Sequence, residues 1–158
     1  MEQKTKIHAE DGTQEITITR EFDLPVDLLF RAYVEPEIIE EWMGTKVISL
    51  ESKKFGSYQF QTTAPTGYTF GLAGVIHEFI QNEKITRTFE MSNANLGVQL
   101  EFLEFEELNE DTSKLTMHVI YESVEKRDQL LQLPFTKGIN IAHNRIQEIL
   151  NKIKNMKS

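Results

Sequence analysis

Few side chains in this sequence have the types and spacing that chemistry requires. The four histidines, His8, His77, His118 and His143, are never paired at the i, i+4 or short strand spacing that metal sites use. The chain has no cysteine and no Gly-x-Ser-x-Gly turn, so no nucleophile with a base in hydrogen-bond reach is indicated. We therefore expect no metal, no cofactor and no catalytic residue.

Three ionisable residues, Glu78, Arg87 and His143, could instead serve a buried site. Glu78 alternates with Ile76, so the two are expected on one face of a sheet. On a concave face Glu78 needs a partner such as Arg87, or it protonates; on a convex face it is a surface residue. Arg87 has the same two possibilities. His143, at the edge of a helical stripe, either projects toward a cavity as an acid or base or merely flanks the stripe.

The elements that position these residues are indicated by changes of period along the chain. Residues 15–22 alternate apolar and polar side chains, which predicts a strand. Pro25 and Pro36 each fit the first turn of a short helix, where a missing N–H has no intrahelical partner to lose. Six runs within residues 46–122 are rich in β-branched and aromatic residues and are separated by short turns, which predicts antiparallel strands.

A second change of period follows the strands. Residues 125–133 predict a short helix, and residues 135–153 repeat apolar side chains at the spacing of a long amphipathic helix. The apolar stripe of that helix needs a partner, and the sheet is the one large apolar surface expected. The sequence thus predicts an α+β helix-grip fold in β-α-α-β6-α order, with a curved seven-stranded antiparallel sheet around the C-terminal helix. Residues 15–155 are expected to form this domain, and residues 1–14 a tail or edge segment.

Composition limits the partners. The formal charge of -8, from 25 acidic and 17 basic side chains, disfavours binding to nucleic acid. No run approaches the ~20 apolar residues of a membrane span, and the absence of cysteine favours a reducing compartment, so we expect a cytoplasmic protein. Acidic residues crowd into segments 35–41 and 101–111, each of which is either a solvated surface or a docking surface for a basic partner.

Two segments resemble a known superfamily. Residues 16–42 combine a strand, two proline-opened helices and a closing Trp42 with almost no linker, and residues 74–79 form a glycine, apolar, glutamate strand that leads to Glu83-Lys84-Ile85. This pattern is similar to the SRPBCC or START-like superfamily of birch-pollen allergen, and within it to the branch of activators of the 90-kDa heat-shock protein's ATPase. The resemblance covers about residues 15–152.

The resemblance implies a small hydrophobic ligand of the lipid, sterol or aromatic polyketide class, bound between the sheet and the C-terminal helix. The expected ligand-binding residues are Trp42, Tyr58, Phe60, Phe70, Glu78, Arg87, Phe89, Ile139 and His143. A closed core without a cavity is the structural alternative. A module that binds a protein partner, as the chaperone activator does, is the first functional alternative, and a cyclase-like or hydratase-like enzyme is the second.

Overall fold

An antiparallel sheet of eight strands dominates the structure, a computed structural model that describes residues 4–156. The strands are β1 (Lys6–His8), β2 (Glu15–Phe22), β3 (Lys46–Leu50), β4 (Ser57–Thr63), β5 (Thr69–Ile80), β6 (Lys84–Met91), β7 (Val98–Asn109) and β8 (Thr112–Ile120). Their spatial order is β1-β2-β8-β7-β6-β5-β4-β3, and every neighbouring pair is antiparallel.

Four helices accompany the sheet within the described residues: α1 (Val26–Arg31), α2 (Pro36–Met43), α3 (Val124–Gln132) and α4 (Phe135–Met156). Pro36 is the first residue of α2, and Gly44 ends that helix in the left-handed conformation at φ 63°, where its N–H binds the Glu40 carbonyl. The predicted α+β fold, with a long C-terminal helix packed on an antiparallel sheet, is confirmed.

The predicted number of strands is wrong by one, since the structure has eight and not seven. The additional strand, β1, pairs with β2 through Lys6 opposite Thr19 and His8 opposite Thr17. Three residues are too few to display an alternating pattern, so β1 carries no periodic signal of its own. Residues 1–3 of the expected tail lie outside the described residues.

The core lies between the sheet and the helices. We call the sheet face on which α4 packs the inner face. Ile146 and Leu150 of α4 are fully buried, as are Phe30 of α1 and Leu103 of β7. At one end of the sheet α1 and α2 cover the inner face, and the indole Nε1 of Trp42 donates to the Ala32 carbonyl at 2.7 Å. The short helices thereby hold Trp42 in a fixed orientation at that end.

Candidate ligand-binding cavity

A cavity of about 250 Å³ lies between the inner face, α2 and the beginning of α4. Its walls are mostly apolar, with three polar or charged exceptions and two tyrosines. The lining residues are Ile18, Tyr33, Trp42, Met43, Arg87, Phe89, Met91, Leu96, Gly97, Gln99, Glu101, Met117, Val119, Tyr121, Leu130, Phe135, Ile139 and no others among the described residues. Apolar walls with a few convergent polar groups are typical of small-molecule sites.

The nine residues predicted for a ligand site are only partly brought together. Trp42, Arg87, Phe89 and Ile139 line the cavity. Tyr58 is buried beside it, with its ring centroid 5.3 Å from the guanidinium carbon of Arg87. The other four, Phe60, Phe70, Glu78 and His143, do not line it.

Phe60 and Phe70 border a different depression, of about 430 Å³, over β4 and β5. Polar side chains, Gln59, Gln61 and Ser92 among them, form much of its border. This depression lacks the apolar enclosure of the cavity under α4, so we do not consider it the candidate site.

Glu78 lies on the opposite side of the sheet because β5 contains a bulge. Ile76 is opposite Arg87 on β6, but Glu78 is opposite Thr86, so His77 is an extra residue that reverses the alternation. The Glu78 carboxylate binds Lys84 at 3.1 Å, and its side chain is 46% exposed. The hydrogen bond and charge of Lys84 lower the pKa of Glu78 below its usual value. The pair considered between Glu78 and Arg87 is not formed.

The partner of Arg87 is Glu101, directly opposite on β7, and the two form the polar floor of the cavity. Arg87 Nε donates to Glu101 Oε1 at 2.8 Å, and Gln99 Nε2 donates to Oε2 at 2.7 Å. The side chains are 13% and 6% exposed. Burial alone would lower the pKa of Arg87, but the charge and hydrogen bond of Glu101 hold it above its usual value, so the guanidinium stays charged.

Two tyrosines stand over this floor. Tyr33 follows α1 and Tyr121 follows β8; both line the cavity and are 5% and 3% exposed. Burial, the largest influence, raises the pKa of each hydroxyl, so both remain neutral hydrogen-bond donors. The cavity therefore combines a buried ion pair with two neutral phenols.

Glu101, Gln99, Tyr33 and Tyr121 were not among the predicted site residues. A signal for Glu101 was present, because it alternates with Leu103 and Phe105 and so belongs on their buried face. Its position in the acidic segment 101–111 concealed that pattern.

His143 lies between α4 and the β1–β2 edge, away from the cavity. Its side chain is 1% exposed, and Nδ1 is 2.6 Å from Thr5 Oγ1. Its Nε2 has no hydrogen-bond partner within residues 4–156. Burial, with a smaller effect from the charge of Arg20, lowers the pKa of His143 to about 3. The imidazole is therefore neutral at physiological pH and does not face the cavity.

Neither a metal cluster nor a membrane-spanning helix is found in the described part of the chain. Within residues 4–156 no group of three or more His, Asp or Glu side chains converges as metal ligands do. None of the helices in that range is long and apolar enough to cross a membrane.

Comparison with known proteins places this arrangement in a class. A crystal structure of a Rhodobacter sphaeroides protein has a TM-score of 0.84 at 20% identity, over 94% of this chain and 99% of that one. A Mycobacterium smegmatis protein has a TM-score of 0.81 at 22% identity, over 92% of this chain and 95% of that one. A Staphylococcus epidermidis protein solved by NMR has a TM-score of 0.80 at 19% identity, over 93% of this chain and 94% of that one. Such identities demonstrate a shared fold.

Residues 23–151 match the family described as Activator of Hsp90 ATPase homolog 1-like protein. The chain belongs to this family. No curated protein sequence matches the chain. Family and fold together support a ligand-binding or activator-like module.

Proposed function

We propose that this protein binds a small hydrophobic molecule in the cavity between the inner face and α4. The observation that supports the proposal best is the apolar enclosure itself: Trp42, Phe89, Phe135 and Ile139 surround a space that the packed side chains leave open. This space of about 250 Å³ has mostly apolar walls and a few polar groups, as small-molecule sites do.

The size of the cavity bears on the ligand class. Its volume of about 250 Å³ lies below the roughly 300–1,000 Å³ of common ligand pockets. Of the lipid, sterol and aromatic polyketide classes, this favours a compact aromatic molecule over a sterol or a long acyl chain. Burial of its apolar surface would contribute about 25 cal/mol per Å², less the losses of association.

Trp42 provides the test, because it is the single tryptophan and lines the cavity. Titration with small aromatic ketones, flavonoids, sterols and fatty acids should change its emission saturably for the compact aromatic class. Ile139→Phe, which narrows the cavity, should weaken binding. Ile141→Phe, on the exposed side of the same helix, should leave binding unchanged. Saturable binding that Ile139→Phe does not affect would place the ligand elsewhere and refute the proposal.

A protein partner is the second candidate, and the description of the family supports it, because that description names an activator of a chaperone ATPase. The two candidates make different predictions. If no ligand class changes the Trp42 emission, the small-molecule proposal fails and the partner-binding function becomes the better explanation.

A further inference from the structure

We propose that the cavity selects ligands with a neutral hydrogen-bond acceptor, such as a ketone carbonyl, on a compact apolar body, and rejects carboxylates. This inference rests on the proposed function and specifies its ligand. The inference is based on a set of hydrogen-bond donors in the lining of the cavity. These donors have no hydrogen-bond partner within residues 4–156.

The first two donors are the tyrosine hydroxyls. Neither the Tyr33 nor the Tyr121 hydroxyl bonds to another residue within 4–156, although both side chains are buried. In that same part of the chain, His143 Nε2 is the one completely enclosed side-chain polar atom without a partner. The two hydroxyls are therefore not completely enclosed. Their exposed surface lies in the cavity that both tyrosines line.

Arg87 supplies further donors. Its Nε is bound to Glu101, but its two Nη groups have no hydrogen-bond partner among the described residues. Like the tyrosine hydroxyls, they are not completely enclosed, and Arg87 lines the cavity. Buried polar groups are nearly always hydrogen-bonded, so several idle donors around one cavity indicate a place for an acceptor.

The charge at the floor decides the kind of acceptor. Arg87 and Glu101 neutralise each other at 2.8 Å, so the site offers no net positive charge to a carboxylate. An incoming anion would lose its hydration and meet the charge of Glu101 at short range. A carbonyl oxygen has no such penalty and has two lone pairs, so it can accept from two of the donors at once.

The rest of the cavity fixes the orientation of the ligand. The donors belong to the sheet side and to the end of α1, whereas Leu130, Phe135 and Ile139 form the opposite wall from α3 and α4. A bound molecule would therefore direct its acceptor toward β6 and β7 and its apolar body toward α4.

The test compares three molecules of closely similar size: 1-tetralone, which has a carbonyl; tetralin, which has none; and 1,2,3,4-tetrahydro-1-naphthoate, which has a carboxylate. The dissociation constants are measured by NMR titration of the full chain. We expect 1-tetralone to bind at least about tenfold more tightly than either of the others, as two hydrogen bonds would provide.

Matched variants locate the donors. Tyr33→Phe and Tyr121→Phe should each weaken 1-tetralone about threefold to tenfold and change tetralin less than about twofold. Neither should impair folding, because each removes a hydroxyl without a partner in residues 4–156. Tyr68→Phe, which removes an exposed hydroxyl outside the cavity, should change none of the dissociation constants.

The outcomes separate this inference from the proposed function. If tetralin binds as tightly as 1-tetralone, or the carboxylate binds most tightly, the inference is overturned while the cavity still binds apolar molecules. The same holds if neither Tyr→Phe variant in the cavity reduces the preference for the ketone. If none of the three molecules binds, the inference fails; if in addition no ligand class changes the Trp42 emission, the proposed function fails as well.

Discussion

Arg87 and Glu101 form the ion pair at the cavity floor. Replacing one of them should lower the free energy of unfolding by a different amount from replacing the other. Arg87→Met leaves the Glu101 carboxylate, whose side chain is 6% exposed, with the hydrogen bond from Gln99 and no salt bridge within residues 4–156. Removing one partner of a buried pair typically costs about 3–5 kcal/mol, because the remaining charge is desolvated and uncompensated. We predict a loss of this size in the free energy of unfolding of Arg87→Met.

The reverse replacement should be milder. In Glu101→Gln the guanidinium of Arg87 remains, but the Arg87 side chain is 13% exposed, against 6% for Glu101, and so is less completely desolvated. We expect a cost of about 1–3 kcal/mol, the usual cost of weakening a charged hydrogen bond. The double variant Arg87→Met/Glu101→Gln should recover most of the loss of Arg87→Met, because it contains no isolated charge.

Urea denaturation of the four proteins, with unchanged slopes, gives the full cycle. Lys84→Met is the control, because it breaks an exposed ion pair: the side chain of Lys84 is 34% exposed and that of its partner Glu78 is 46% exposed. This variant should leave the urea midpoint unchanged. If Arg87→Met shifts the midpoint no more than Lys84→Met, or if the cycle is additive, the pair is hydrated and our account of the floor is wrong.

Three further predictions concern other parts of the fold. Ile146→Asp, at a fully buried position of α4, should cost about 4 kcal/mol or more by urea denaturation, while Ile141→Asp on the exposed side should cost little. Gly74→Ala would place a Cβ 2.0 Å from the Thr88 carbonyl oxygen, and should lower the free energy of unfolding by about 1–3 kcal/mol. Folding lowers the pKa of His143 to about 3, whereas the unfolded chain binds a proton at this residue below about pH 6.5. The contribution of the neutral imidazole to the free energy of unfolding is therefore complete above that pH. Stability should then fall by up to about 1.4 kcal/mol per pH unit between pH 6.5 and 3, and His143→Leu should remove this part of the slope when urea midpoints are compared at pH 7 and 4.5.

The order of elements was predictable because each leaves a local mark on the sequence. Proline at the beginning of the short helices, turn residues between strands and a helical repeat after residue 134 all depend on neighbours within a few positions. The β1 strand leaves no such mark. It forms because the exposed edge of β2 offers hydrogen-bonding partners, and that edge exists only once the sheet has assembled.

The site was predictable to a smaller extent because its residues depend on which face each strand presents. Alternation assigns faces correctly only while the register is unbroken, and the bulge at His77 transfers Glu78 to the other face. On α4, Ile139 and His143 are one turn apart on the same side, yet Ile139 lines the cavity and His143 meets Thr5. The path of the helix across the sheet separates them, and no local pattern encodes that path.

The composition of the floor argues that this cavity is more than a packing defect. Replacing a buried ion pair by apolar residues of similar volume often leaves protein stability unchanged or raises it. Phenylalanine could likewise replace Tyr33 and Tyr121 without loss of any hydrogen bond within residues 4–156. The closed core therefore gains nothing from these groups. Their value appears when an acceptor enters, because the donors are already oriented and little ordering remains to oppose binding. A cavity that had arisen by imperfect packing would be expected to be apolar throughout, as empty cavities are.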